Sequence, residues 1–228
     1  MKAYYFKPPN ISWGMLFPLV FILAFYLRSP LDFSHLIPGL LSLSLLFSTT
    51  SMEAIVITFE RMTGALERLM LYPVSVTTIL AGKISGGACF GITVTIIFLL
   101  GLLILFPLHL ENPLLFLASV VISSFTFSAL GAFVSVSVKQ VFEAQTLANL
   151  FRFPMIFLGG VFIPVNSLPS MLKPIAYIMP LTYSIDSIRA AFGYEPQIIP
   201  PLLSLLVLTV FAFIFLELSV KILKGRMS

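Results

Sequence analysis

Charge is scarce in this chain. Only 10% of its 228 residues are Asp, Glu, Lys or Arg, where a soluble domain carries about 25%. So few charges cannot cover a water-facing surface, and no single soluble core could enclose the 59% that are hydrophobic. The bilayer must act as the solvent. Cysteine is nearly absent: Cys89 stands alone, so no intrachain disulfide can form. The two histidines, His35 and His109, fall in separate turns without cysteine partners. They are too few for a hydrolytic triad or an H-E-x-x-H helix, and no metal site is expected. A phosphate-cradling loop is also missing. Gly82-Lys83 is a Gly-Lys pair, but Thr77 stands where a P-loop needs its first glycine. Ser85-Gly86-Gly87 has no nucleotide domain around it. No basic patch with interleaved aromatics suggests nucleic acid. If the chain uses ATP, another subunit must bind it.

Long apolar runs dominate what is present. A span needs roughly 20 apolar residues, because a helix rises about 1.5 Å per residue through a core about 30 Å thick. Uncharged windows cover residues 8–27, 36–52, 84–108, 112–138, 153–172 and 196–216. They predict an all-α integral membrane fold, one transmembrane domain over 1–228, with spans at about 11–27, 36–58, 84–106, 113–137, 148–164 and 197–219. Runs such as Ile96-Ile97-Phe98-Leu99-Leu100 do not alternate as barrel strands must. The first window is long for a cleavable signal peptide, and no small-residue cleavage pattern precedes Arg28-Ser29-Pro30.

Lys and Arg placement sets the expected orientation. With the N-terminus inside, Lys2, Lys7, Arg61, Arg68, Lys83, Lys139, Arg152, Lys221, Lys224 and Arg226 are cytoplasmic, and only Arg28, Lys173 and Arg189 lie outside. Both termini are therefore expected in the cytoplasm of a multi-pass cell-membrane protein. The spacing Asn10-Ile11-Ser12 matches a glycosylation acceptor, but it falls on the cytoplasmic side and reads as chance.

Two stretches do not read as spans. From Thr58 to Tyr72, Phe59, Met62, Leu66, Leu69 and Met70 recur at helical steps, with Glu60, Gly64, Glu67 and Arg68 in other directions. This predicts one amphipathic helix, ended by Pro73, lying along the inner surface or against a soluble partner. From Pro164 to Pro196 the chain holds five prolines. Ser167 is expected to cap a short helix with Pro169 in its first turn, interrupted at Pro174. Thr182 is expected to cap a second helix ending at Gly193, on which Asp186 and Arg189 are three apart and can pair. Charges at span ends are costly in lipid, which makes Glu53 and Arg152 candidates for a transport path. Glu217, with Lys221 one turn on, reads as an ordinary interfacial residue.

These residues carry a resemblance. Glu60-Arg61, Gly64, Leu66-Glu67, Leu69 and Pro73-Val74, followed by Gly82-Lys83, resemble the inner helix of type 2 ABC transporter permeases, with Ala65 where Thr is common. Gly159 to Pro164, then Leu168-Pro169, then Pro180-Leu181-Thr182-Tyr183 with Asp186 and Arg189, resemble the outer segment of the same family. Ile37-Pro38-Gly39 is similar to its entry to the second span. Members usually begin with a longer amphipathic helix than the proline-broken Met1–Asn10, so the start is expected to be truncated or reduced.

The resemblance implies a six-span permease that is not itself an enzyme and binds no cofactor. ATP and Mg would be used by an ABC ATP-binding subunit. A second permease copy would complete a homodimer, or a related permease a heterodimer. The coupling helix would hold Glu60, Arg61, Gly64, Leu66, Glu67, Arg68 and Pro73. Outer re-entrant helices would hold Pro169, Pro180, Thr182, Tyr183, Asp186 and Arg189. The implied activity is export of an amphipathic small molecule, lipid or glycan. An ion-coupled secondary transporter is the alternative outside the family, and a glycan-specific export subunit the alternative within it.

Overall fold

The computed structural model describes Val20, Leu23, residues 33–106 and residues 108–225. The expected first span, 11–27, lies almost wholly outside the described residues. Among those described, the chain is helical with no strand. A 3-10 turn, Phe33–Leu36, leads into α1, Ile37–Met62. Then follow α2, Ala65–Met70; α3, Val76–Leu105; α4, Pro113–Ser137; and α5, Val141–Leu158. After a second 3-10 turn, Val165–Ser167, come α6, Lys173–Tyr177; α7, Pro180–Ala191; and α8, Pro201–Gly225.

Local chemistry sets these boundaries. Pro38 and Pro113 sit in the first turns of α1 and α4, where no backbone N–H is needed. The Ser75 hydroxyl accepts from the Thr78 N–H at 3.1 Å and starts α3. The Asn112 side chain accepts from the Leu115 N–H at 3.0 Å and starts α4. The Glu143 carboxylate accepts from the Lys139 and Gln140 N–H groups at the head of α5.

Four helices are long and apolar enough to cross a membrane: α1, α3 through Ile104, α4 and α8. Helix α5 is not among them. It spans 18 residues and carries Glu143, Gln145, Asn149 and Arg152. It also starts and ends several residues before the expected 148–164. Arg152, expected near the inner end of this span, lies well inside the helix.

Helix α1 forms the axis. It packs on α4, α3, α5 and α7, while α8 lies against α4, α7 and α3. Almost all of α1 is buried. One apolar cluster surrounds its first half, with Leu41, Phe47, Phe98, Phe116, Phe127 and Ile185 among its members. A second gathers Ile57, Leu66, Leu80, Ile84, Val136 and Leu223 around its last turns. These two ends are called the α7 end and the α2 end below.

Candidate functional site

The expected amphipathic helix from Glu60 to Tyr72 is in fact two pieces. Helix α1 ends at Met62, the Thr63 N–H returns to the Phe59 carbonyl at 3.0 Å, and Gly64 takes φ +70°. A residue without Cβ adopts that left-handed turn at no steric cost. Helix α2 then runs for six residues. The residues expected to serve one surface thus divide in two. Glu67, Arg68 and Pro73 are exposed, together with Leu71 and Tyr72. Leu66 is fully buried in the cluster at the end of α1.

Glu60 and Arg61 turn toward the bundle. The Lys83 ammonium on α3 pairs with the Glu60 carboxylate. Arg61 Nη1 donates to the Ser135 carbonyl at 2.9 Å and to the Val138 carbonyl at 3.0 Å. The last carbonyls of a helix have no partner within it and carry partial negative charge, so a guanidinium there satisfies both needs. The last turn of α1 is thereby fastened to α3 by one charge and to the end of α4 by the next. Between α1, α2 and α3 lies a groove of about 990 Å³, lined by Phe59, Glu60, Leu69, Tyr72, Ile79 and Lys83 among others.

A polar seam runs along the middle of α1. Ser48, Thr49, Thr50, Ser51 and Glu53 are all buried. The Ser48 and Thr49 hydroxyls donate back to their own helix, to Ser44 and Leu45 carbonyls at 2.6 and 2.7 Å, and the Thr50 hydroxyl does the same to Leu46. Glu53 points between α3 and α4, where a Cβ on Gly87 would collide with its side chain and with the Ser128 hydroxyl. A Cβ on Gly131 would lie 2.9 Å from the Cβ of Glu53 and from the Thr50 carbonyl. Those two glycines make the space that Glu53 fills. Gly91, one turn further along α3, likewise lets Thr49 of α1 approach, whereas Gly82 has open space beside it.

Arg152, on α5, is fully buried against the other flank of α1. Its Nε donates to Thr50 Oγ1 at 2.6 Å and its Nη1 to Asn149 Oδ1 at 3.1 Å. The guanidinium carbon sits 5.0 Å from the centre of the Phe47 ring, within cation–π range.

The α7 end is held differently from the expectation. Asp186 accepts from the backbone N–H groups of Gln197 at 2.7 Å, Ile198 at 3.0 Å and Ile199 at 3.4 Å. No ion pair joins Asp186 to Arg189 among the described residues. Arg189 reaches the His35 carbonyl at 3.4 Å and lies over the Tyr194 ring. Burial pushes the Asp186 carboxyl above its ordinary range, while the three amides and the field of Arg189 pull it down. Gln197 Oε1 accepts in turn from the Val165 N–H at 3.0 Å. Thr182 does not cap α7. Met179 precedes it, and the Thr182 hydroxyl donates to the Ala176 carbonyl at 2.8 Å. The Tyr183 hydroxyl donates to the Tyr177 carbonyl at 2.6 Å, joining α7 to α6. Pro180 opens α7, and Pro174 lies in the first turn of α6 instead of interrupting a helix. Ser167 and Pro169 lie before α6, in and after the 3-10 turn. Gln197 is not legible in the sequence, since a lone glutamine in a proline-rich loop carries no spacing signal. Among the described residues no group of His, Cys, Asp and Glu could hold a metal ion.

Residues 1–193 match the ABC-2 type transporter family. The inner membrane transport permease YadH of Escherichia coli K12 is 24% identical over 157 residues, 69% of this chain and 61% of that protein. The probable multidrug ABC transporter permease YbhS, also of Escherichia coli K12, is 24% identical over 180 residues, 77% of this chain and 48% of its own length. Nodulation protein J of Sinorhizobium fredii is 30% identical over 77 residues, 34% of this chain and 29% of that protein. The match spans about three fifths of YadH and about half of YbhS.

Proposed function

The chain belongs to the ABC-2 type transporter family, and from that premise we propose that it is the permease subunit of an ATP-driven exporter, moving an amphipathic small molecule, lipid or glycan out of the cytoplasm. Family membership makes it a multi-pass membrane transport subunit, not a catalytic one. ABC-2 permeases as a family work with an ABC ATP-binding subunit.

One observation carries the finer reading. Helix α2 presents Glu67 and Arg68 to the outside, and the turn after it Leu71 and Tyr72, while Leu66 on α2 and Glu60 and Arg61 at the end of α1 are tied into the bundle. A surface that protrudes on one side and is rigidly tied on the other suits an element that receives a push. The partner would use ATP and Mg. Its movement would enter at α2, pass through Glu60–Lys83 to α3 and through Arg61 to the end of α4. In this reading the α2 end and both termini face the cytoplasm, and α6 with α7 forms re-entrant structure on the other face. The expected first span and α5 complete six crossings, and a second copy completes the pathway. The test is purification of the tagged chain from its native membranes in mild detergent. An ATPase that co-purifies with vanadate-sensitive hydrolysis supports the reading, and a chain that purifies alone sinks it.

The buried carboxylate of Glu53 favours a second reading, ion-coupled transport. Flux driven by a proton gradient in vesicles that contain no ATPase would establish it.

A further inference from the structure

The three less enclosed candidate spans share a recess. Helices α3, α4 and α8 border a slot of about 290 Å³, at the lower limit of ligand pockets, which hold roughly 300–1,000 Å³. Small side chains make room for it: Ala81 and Ser85 on α3, Ala129 on α4 and Ala212 on α8. Phe125 and Phe213, mid-helix residues that also line it, are 37% and 63% exposed, so the slot opens sideways from the bundle. Among the described residues none of its lining is charged. Its two hydroxyls are already used within their own helices, Ser85 donating to the Ala81 carbonyl at 2.8 Å and Thr209 to the Leu205 carbonyl at 2.8 Å. A polar ligand entering here would give up water and gain no hydrogen-bond partner. A hydrocarbon chain gives up nothing.

Length and depth narrow the source of that chain. The slot runs from Thr209 to Leu216 along α8 and from Ile122 to Ala129 along α4, seven residues in each case. At helical rise this is about 10 Å, within the roughly 15 Å that one leaflet contributes to a core about 30 Å thick. It lies in the α2 half of the bundle, since Ile84 and Ala129 also belong to the cluster around the last turns of α1. Beside it on α8, Leu206, Val210 and Ile214 are exposed, so the slot is continuous with an apolar face that a membrane protein turns to lipid. Beyond Leu216 toward the α2 end come Lys221 and Lys224, five and eight residues on, or about 7.5 and 12 Å at helical rise. Both are exposed, and neither is in an ion pair among the described residues. They outnumber the one carboxylate of this stretch, Glu217. Lysines at such a level extend to the headgroup layer, where phosphate is the acceptor they meet.

We propose that this slot holds one acyl chain of a phospholipid drawn from the leaflet at the α2 end, with the lipid phosphate at Lys221 and Lys224. The chain lies parallel to α8 and fills the space that Ala81, Ala129 and Ala212 leave between three helices. It thereby completes the packing of α8, the most open of the candidate spans, and ties that helix to α3.

The experiment uses the full chain without any ATPase, so it stands or falls separately from the export reading. Native mass spectrometry of the chain purified in mild detergent should find one phospholipid retained per chain. Ala212→Phe and Ala81→Leu fill the slot, and each should cut the retained lipid by about tenfold. Val210→Phe, on the exposed face outside the slot, should leave it unchanged. Lys221→Gln combined with Lys224→Gln should lower retention as well. In nanodiscs, a photoreactive phenylalanine in place of Phe213 should crosslink to lipid. Should one filled variant fail to fold, the other and the crosslink decide. A parent chain free of lipid, a filled slot or a double lysine variant that keeps its lipid as the parent does, or a crosslink to residues 11–27 or to a second copy overturns the proposal.

Discussion

Lys83 and Glu60 pair across the junction of α3 and α1, with side chains 15% and 25% exposed. Removing either partner leaves the other charge half-buried. Glu60→Gln or Lys83→Met should each destabilise the chain by about 1–2 kcal/mol, between the values for exposed and fully buried pairs. The double substitution should cost less than the sum of the singles. Thermal melts of the four purified chains in detergent check this, and strict additivity would count against a direct pair.

Arg61 caps the end of α4 from a different helix. Truncation to Ala leaves the Ser135 and Val138 carbonyls to other donors and should cost about 1.5–3 kcal/mol, the range for hydrogen bonds to a charged group. Arg61→Lys should recover part of this, since one ammonium cannot reproduce the fork of a guanidinium. Hydrogen exchange read at the last turn of α4 should rise more in Arg61→Ala than in Arg68→Ala, because Arg68 is exposed. Equal exchange in the two variants refutes the capping role.

Two glycines on α3 should respond oppositely to the same substitution. Gly87→Ala drives a methyl into Glu53 and Ser128, whereas Gly82 has open space around it. Gly82→Ala should be neutral or stabilising by up to about 1 kcal/mol, from helix propensity alone. Gly87→Ala should destabilise by about 1–3 kcal/mol, as overpacked cores do. Melting temperatures that fall in the same order for both, or only for Gly82→Ala, would be inconsistent with the packing described.

At the α7 end, Asp186 carries three backbone amides and Arg189 lies elsewhere. Asp186→Ala should therefore cost about 2–3 kcal/mol through amides left unsatisfied in a buried loop. Asp186→Asn should cost less, because one acceptor oxygen remains. Arg189→Ala should cost at most about 1 kcal/mol. Limited proteolysis between Gly193 and Pro200 should accelerate in Asp186→Ala and barely change in Arg189→Ala. The reverse order would point to the Asp186–Arg189 pair after all.

Much of this architecture was legible in residue order, and the exceptions have physical causes. Helix α4 runs Pro113–Ser137, as the uncharged window predicted, because Asn112-Pro113 is an unambiguous start. Helix α3 begins at Val76, well ahead of the expected 84. Lys83 bounds the uncharged window that opens at residue 84, but a charge with a partner on the neighbouring helix does not end a helix. Gly64 was counted within an amphipathic helix, where spacing alone cannot tell a helical glycine from one at φ +70°. Asp186 and Arg189 stand at pairing distance on a helix, yet a bent loop eleven residues on offers three N–H groups in a row. Local spacing cannot anticipate a competitor that only the folded chain brings near.

The enclosed helix α1 also bears on how the protein enters its membrane. It is the least apolar of the four candidate spans and the most enclosed, whereas α8 is the most open. Its seam of serines, threonines and Glu53 faces protein on every side once the bundle is assembled. During synthesis α1 emerges before α3, α4 and α5, with none of them yet available to cover that seam. A nascent helix of this kind partitions weakly into lipid on its own. The seam of α1 is therefore left uncovered in the nascent chain until α3, α4 and α5 have followed it.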